Sequence, residues 1–143
     1  TFMPADGSPA FLDYEHFDPD APENYRRAVY RFVFRTVPDP LLDALDCPDG
    51  GAATPVRNAS ATALQALVFL NNRFLLRQCE HIAARIEKEV PRPDVLVAGV
   101  FRLMLQRAPD QRETQAFTEY VQKHGLANAC HVLLNSNEFL YID

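Results

Sequence analysis

The stretch from Thr54 to Val90, TPVRNASATALQALVFLNNRFLLRQCEHIAARIEKEV, constrains this chain most, because it carries the longest helical period in the sequence. Leu64, Leu67 and Val68 recur at the three-and-four spacing of one helix face. Leu75, Cys79, Ile82, Ile86 and Val90 form a second such series. The pattern predicts two helices, or one helix bent at Asn71-Asn72. Ser60 and Thr62 can cap the first, since their hydroxyls accept from amides two or three residues on, and Asn72 can cap the second. Pro91 and Pro93 cannot continue a helix and restrict the residue before each, so the second should stop near Glu89.

The segments C-terminal to this stretch read as helices that pack on it. Asp94 is placed to cap a helix running to about Arg107. Its apolar residues, Val95 to Val97, Val100, Phe101 and Leu103 to Leu105, go nearly all round it, which predicts a buried middle helix. Asp110 and Glu113 after Pro109 fit the logic of a capping box. The next helix should turn Phe117, Tyr120, Val121 and His124 inward and end at Gly125. Leu126 to Leu134 is another apolar helix, and Asn135-Ser136-Asn137 both ends it and starts a short closing turn. The expected core comprises Leu67, Leu75, Ile82, Ile86, Val100, Phe101, Met104, Phe117, Val121 and Leu133.

The first part of the chain is different. Residues 1–25 hold four prolines, many acids and no sustained period, the marks of an extended arm that Phe11, Tyr14, Phe17 and Tyr25 could pin down. Asp13, Glu15, Asp18 and Asp20 invite comparison with a calcium loop, but the spacing of ligands that such loops need is missing, and a solvated acidic arm is the simpler reading. In RRAVYRFVFRTV (26–37), Tyr30, Phe32 and Phe34 alternate with Arg31, Val33 and Arg35. That is a short strand signal over 29–35, with a helical turn as the alternative. Arginines on one face of it would pair with acids of the arm. Leu41 to Leu45 can make a helical turn. The expected architecture is mainly α: a compact domain of about five helices over 39–143, preceded over 1–38 by a Pro/Asp-rich arm with room for one short β element.

Composition bounds the function. With 143 residues the chain can bury a core without staples. The net charge of −5 is concentrated early, since residues 1–49 hold ten acids against four bases and residues 50–143 nine against ten. No clustered basic surface marks a nucleic-acid partner. No segment approaches the length of a membrane span. The chain begins at Thr1, which suggests a piece of a longer protein. Cys47, Cys79 and Cys130 lack the spacings of zinc or haem attachment sites. Cys79 and Cys130 lie on apolar helix faces, as buried thiols or as a disulfide. Cys47 sits in a Pro/Asp/Gly turn.

Motifs with chemical mechanics are absent from this sequence. His16, His81, His124 and His131 form no metal-binding pair on one helix face, and no nucleophile elbow or Gly-rich phosphate loop occurs. No catalytic, cofactor or metal residues are therefore assigned. The polar set Arg57, Asn58, Gln65, Asn71, Asn72, Asn135, Asn137 and Glu138 is the candidate site. Its side chains could cap helices and hold interhelical joints, or line a groove for a sugar or peptide. A bidentate pair between Arg57 and Glu138 is expected to tie the end of the chain to the approach of the central helices.

The runs RRAVYRFVFRT, DALDCPD, TPVRNASATALQAL, FLNNRF and LLNSNEFLYID closely resemble the C-terminal region of a large planctomycete and verrucomicrobial family of unknown function. Its members usually carry an N-terminal cytochrome-c-like haem domain. The resemblance implies an extracytoplasmic bacterial protein of which this chain is the C-terminal segment, with haem c held only in another domain. It supplies no catalytic residues. Residues 101–139 are also similar to phycobilisome-linker-like helical modules, which bind other proteins. The leading expectation is a non-catalytic structural or interaction module that meets other domains of its parent chain, or another secreted protein. The alternative is the accessory wall of an enzyme or ligand site, redox or polysaccharide-directed, completed by upstream domains.

Overall fold

The computed structural model of this chain describes residues 18–27, 30, 39–45, 62–90 and 92–141. Among these every regular element is helical: a 3-10 turn at Pro22–Asn24, then α1 (Pro40–Ala44), α2 (Ala63–Asn71), α3 (Arg73–Glu89), α4 (Pro93–Leu105), α5 (Gln111–His124), α6 (Leu126–Leu134) and α7 (Asn137–Leu140). The mainly α expectation holds, with seven α-helices among the described residues against about five expected. The segment read as strand or turn lies almost wholly outside the described residues, as do Arg57, Asn58, Ser60 and Cys47. No helix among the described residues is long and apolar enough to cross a membrane. The chain divides into two compact units, Thr1–Val68 and Phe69–Asp143, the division falling within α2.

In the first unit, local side-chain hydrogen bonds define the described segments. Asp18 accepts from the Asp20 amide at 2.9 Å and its carbonyl accepts from Asn24 Nδ2 at 2.7 Å, which folds this part of the arm into a turn. Asp39 caps α1, accepting from the Leu41 and Leu42 amides, with Pro40 in the first helical position where no N–H is needed. α2 opens on a reciprocal box: Thr62 Oγ1 accepts from the Gln65 amide at 3.2 Å and Gln65 Oε1 from the Thr62 amide at 3.1 Å. The expected inward face of α2 is corrected, since Leu64 is 59% and Leu67 56% exposed. From Leu64 to Leu70 only Gln65 interrupts the apolar residues, so the period does not single out an inward side.

The second unit holds the core. Asn72 ends the α2 period and caps α3, its Oδ1 accepting from the Phe74 and Leu75 amides at 3.0 and 3.2 Å. The two-helix reading of the central stretch is the one realised, and α3 stops at Glu89 as its prolines require. Cys79, Ala83 and Ile86 are its buried line, and α6 answers with Leu126, Cys130, Leu133 and Leu134. α3 packs more extensively on α6 than any other pair of helices. α4 contributes Val97, Val100 and Phe101 as the expected buried middle helix. It approaches α3 closely at Gly99, where an added Cβ would stand 3.3 Å from Ile86 Cγ2. Phe69, Leu75, Ile82, Met104, Phe117 and Val121 pack against this cluster half-buried.

Three local details depart from expectation. α4 begins two residues early, with Arg92 at the cap and Pro93 first in the helix, because proline's fixed φ suits that position; Asp94 therefore lies inside the first turn. The helix ends at Leu105, where Gln106 turns left-handed at φ 57°. His124 is exposed and stacks on Tyr120, ring centroids 4.5 Å apart, so it belongs to the outer end of α5. Gly125 combines φ 86° with ψ 162°, a conformation that glycine adopts and other residues avoid, and this lets α6 start directly after α5.

Candidate functional site

Beyond the left-handed Gln106, the chain presents Arg107 toward the start of α5 and toward α7. Its Nη1 and Nη2 donate to the two Glu113 oxygens at 2.8 and 2.6 Å, while Nε and Nη2 donate to the two Glu138 oxygens at 2.5 and 2.7 Å. Nη1 also donates to the Ala108 carbonyl at 3.1 Å, so all five N–H groups of the guanidinium are engaged. The guanidinium lies 5.3 Å from the centroid of the Phe101 ring, which meets Phe117 edge-on at 5.0 Å. Charge above and core aromatics beneath are thus joined at one residue.

Glu113 is positioned twice over, because it is also the third helical residue of the Asp110 capping box. Its amide donates to Asp110 Oδ1 at 2.7 Å, and its own Oε2 accepts from the Asp110 amide at 2.7 Å. Arg107 first, and the Asp110 amide next, hold its carboxyl well below the usual range, at about 2. Arg107 likewise lowers Glu138, and the two carboxylates raise Arg107. Chemically the cluster is closed. The carboxylates are deprotonated at neutral pH and lack a proton to give, and the guanidinium keeps no N–H for an incoming anion.

The other described members of the expected polar set are taken up in helix ends and turns. Asn72 is engaged in the α3 cap. Asn135 Nδ2 donates to the His131 carbonyl at 2.8 Å, and Ser136 Oγ accepts from the Phe139 amide at 3.3 Å while donating to the Leu133 carbonyl at 2.7 Å. Asn137 opens α7, its carbonyl accepting from the Tyr141 amide at 2.9 Å. Asn71 is the last residue of α2. Glu138 does find a cation, but that cation is Arg107; Arg57 is outside the described residues. His131 Nε2 lies 3.1 Å from the Phe69 carbonyl, where only a donor is useful, so this nitrogen carries the proton.

Arg107 is the residue that sequence reasoning missed. A signal existed in its placement after an apolar helix and six residues before a capping-box glutamate, but its second partner is 31 residues away. An open depression along α5, lined by Gln111, Thr114, Gln115, Thr118 and Glu119, offers little more. Both threonine hydroxyls donate to carbonyls one turn back, and Gln115 donates to Glu119. No group of three metal-ligating side chains occurs among the described residues.

A mainly helical fold in which Asn72, Arg107, Glu113, Asn135, Ser136 and Glu138 bind the protein's own elements is the class that fold and site define. The chain belongs to the DUF1553 family, described as proteins of unknown function, whose profile matches residues 6–121. No curated protein and no solved structure matches it.

Proposed function

We propose that this chain is a helical interaction module with no chemistry of its own, which docks onto a neighbouring domain of a longer, extracytoplasmic bacterial polypeptide. The observation that carries this reading is the exposure of Leu64 and Leu67 on α2, a helix without a single charged side chain. Exposed leucines one turn apart on an uncharged helix are a surface that gains by being covered. The engagement of Asn72 and Asn135 in helix ends and of Glu138 with Arg107 supports the same reading, because a ligand groove would present such groups to an incoming molecule. The resemblance to the C-terminal part of haem-domain proteins points to the parent chain as the source of the partner.

The test is a binding titration of this chain against the separately produced region that precedes it in its parent polypeptide. Association that is lost in Leu64→Glu/Leu67→Glu, with the circular dichroism spectrum and Tm unchanged, is the expected result. Absence of association, or association indifferent to both substitutions, would sink the proposal.

A further inference from the structure

Two nucleophilic side chains remain that neither the Arg107 cluster nor the docking reading uses. Cys79 on α3 and Cys130 on α6 are 1% and 0% exposed, and both are free thiols. Both belong to the same buried cluster. Cys79 precedes Ala83 and Ile86 by one and two turns, and Cys130 lies between Leu126 and Leu133. These are the two helices that pack most extensively on each other.

We propose that Cys79 and Cys130 close a buried disulfide that staples α3 to α6 when the chain folds in the presence of an oxidised low-molecular-weight thiol. The chemistry is two successive exchanges. The Cys79 thiolate attacks one sulfur of oxidised glutathione and expels a glutathione thiolate. The Cys130 thiolate then attacks Sγ of Cys79 in that mixed disulfide and expels the second. Two electrons pass from the cysteine sulfurs to glutathione, and the two protons lost by the cysteines end on the glutathione thiols.

The folded core resists this reaction. Burial pushes Cys79 up to about 11; burial first and the neighbouring Cys79 next push Cys130 up to about 12. At pH 7 roughly one Cys79 thiol in ten thousand is therefore ionised, and no reagent reaches either sulfur. The bond is made while α6 is still undocked, after which docking encloses it.

The experiment uses the whole chain. Folded, reduced protein should leave Cys79 and Cys130 unlabelled by a maleimide that labels both in denaturant. Refolding in a mixture of reduced and oxidised glutathione should lower the intact mass by two hydrogens. A non-reducing tryptic digest should then link QCEHIAAR to HGLANACHVLLNSNEFLYID, and the linked protein should melt above the reduced one. Linkage of Cys47 to either cysteine, glutathione adducts without an internal link, or a linked form melting at or below the reduced protein would each overturn the proposal. A Cys47→Ser chain, which retains both buried thiols, should still give the same link.

Discussion

Arg107 shows how one side chain can hold three segments of backbone. Its five N–H groups reach Glu113, Glu138 and the Ala108 carbonyl, and its plane lies over Phe101. The linkage to pH comes from the depressed carboxyls. Glu113 titrates at about 2 in the folded chain against 4.5 unfolded, and Glu138 is lowered in the same direction. The contribution of Glu113 is fully present above the unfolded value and is lost as pH falls from about 4.5 toward 2, and that of Glu138 is lost in the same sense. The expected outcome is a melting temperature that drops across that interval in the native protein and drops less in Arg107→Met, whose Tm at neutral pH is already lower. A parallel acid limb in both proteins would contradict a stabilising role for the Arg107 cluster. Added salt should narrow the difference, because these side chains are 29–46% exposed. Half of this cluster was legible beforehand. Asp110 and Glu113 are three residues apart and their pairing is a property of any helix start, whereas Glu138 reaches Arg107 only because α7 folds back toward the end of α4.

At the scale of the element, helix boundaries are set by short-range chemistry and helix faces are not. Thr62, Asn72, Asp110 and Ser136 all sit where their oxygens can accept from amides two or three residues on, and all do so. Asn72 separates two helices that run on from each other, so its loss should be felt: Asn72→Ala should cost about 0.5–2 kcal/mol in a denaturant melt. An effect near zero would mean that the amides of Phe74 and Leu75 find other partners. The misassigned face of α2 has a different origin. Over nine residues with apolar side chains on most sides, several stripes fit the period equally well, and Phe69 rather than Leu67 is the residue that packs on the core of the second unit. Pro93 illustrates the same point at a helix end, since proline excludes a helix interior yet favours its first position.

For the whole molecule, the family match and the folding unit end in different places. Residues 6–121 carry the match, which stops inside α5, while the core draws Leu126, Cys130, Leu133 and Leu134 from α6. Removing α6 would uncover Cys79, Ile86 and Phe101, each 3% exposed or less in the intact chain. Side chains such as Ile86 and Phe101 each contribute on the order of 1.5–3 kcal/mol by burial, against a typical total stability of about 5–15 kcal/mol. A chain ending at Val121 should therefore show no cooperative thermal transition by circular dichroism, and should bind a hydrophobic dye. A sharp melt near that of the full chain would show that α3 to α5 suffice.

What the sequence by itself determined is the mainly helical class, the break at Asn71-Asn72, the stop at Glu89, the capping box at Asp110 and the bounds of α6. Each depends on residues within about four positions of one another, the reach of a helical hydrogen bond and of a capping side chain. It also marked α4 as the buried helix, because a segment apolar nearly all round has no side to offer water. Tertiary structure alone decided that Glu138 meets Arg107, that His131 meets the Phe69 carbonyl, that Leu64 and Leu67 stay exposed, and that Cys79 and Cys130 share one core. Those outcomes depend on which helix lies beside which, and side chains far apart in the chain become neighbours only when their helices dock.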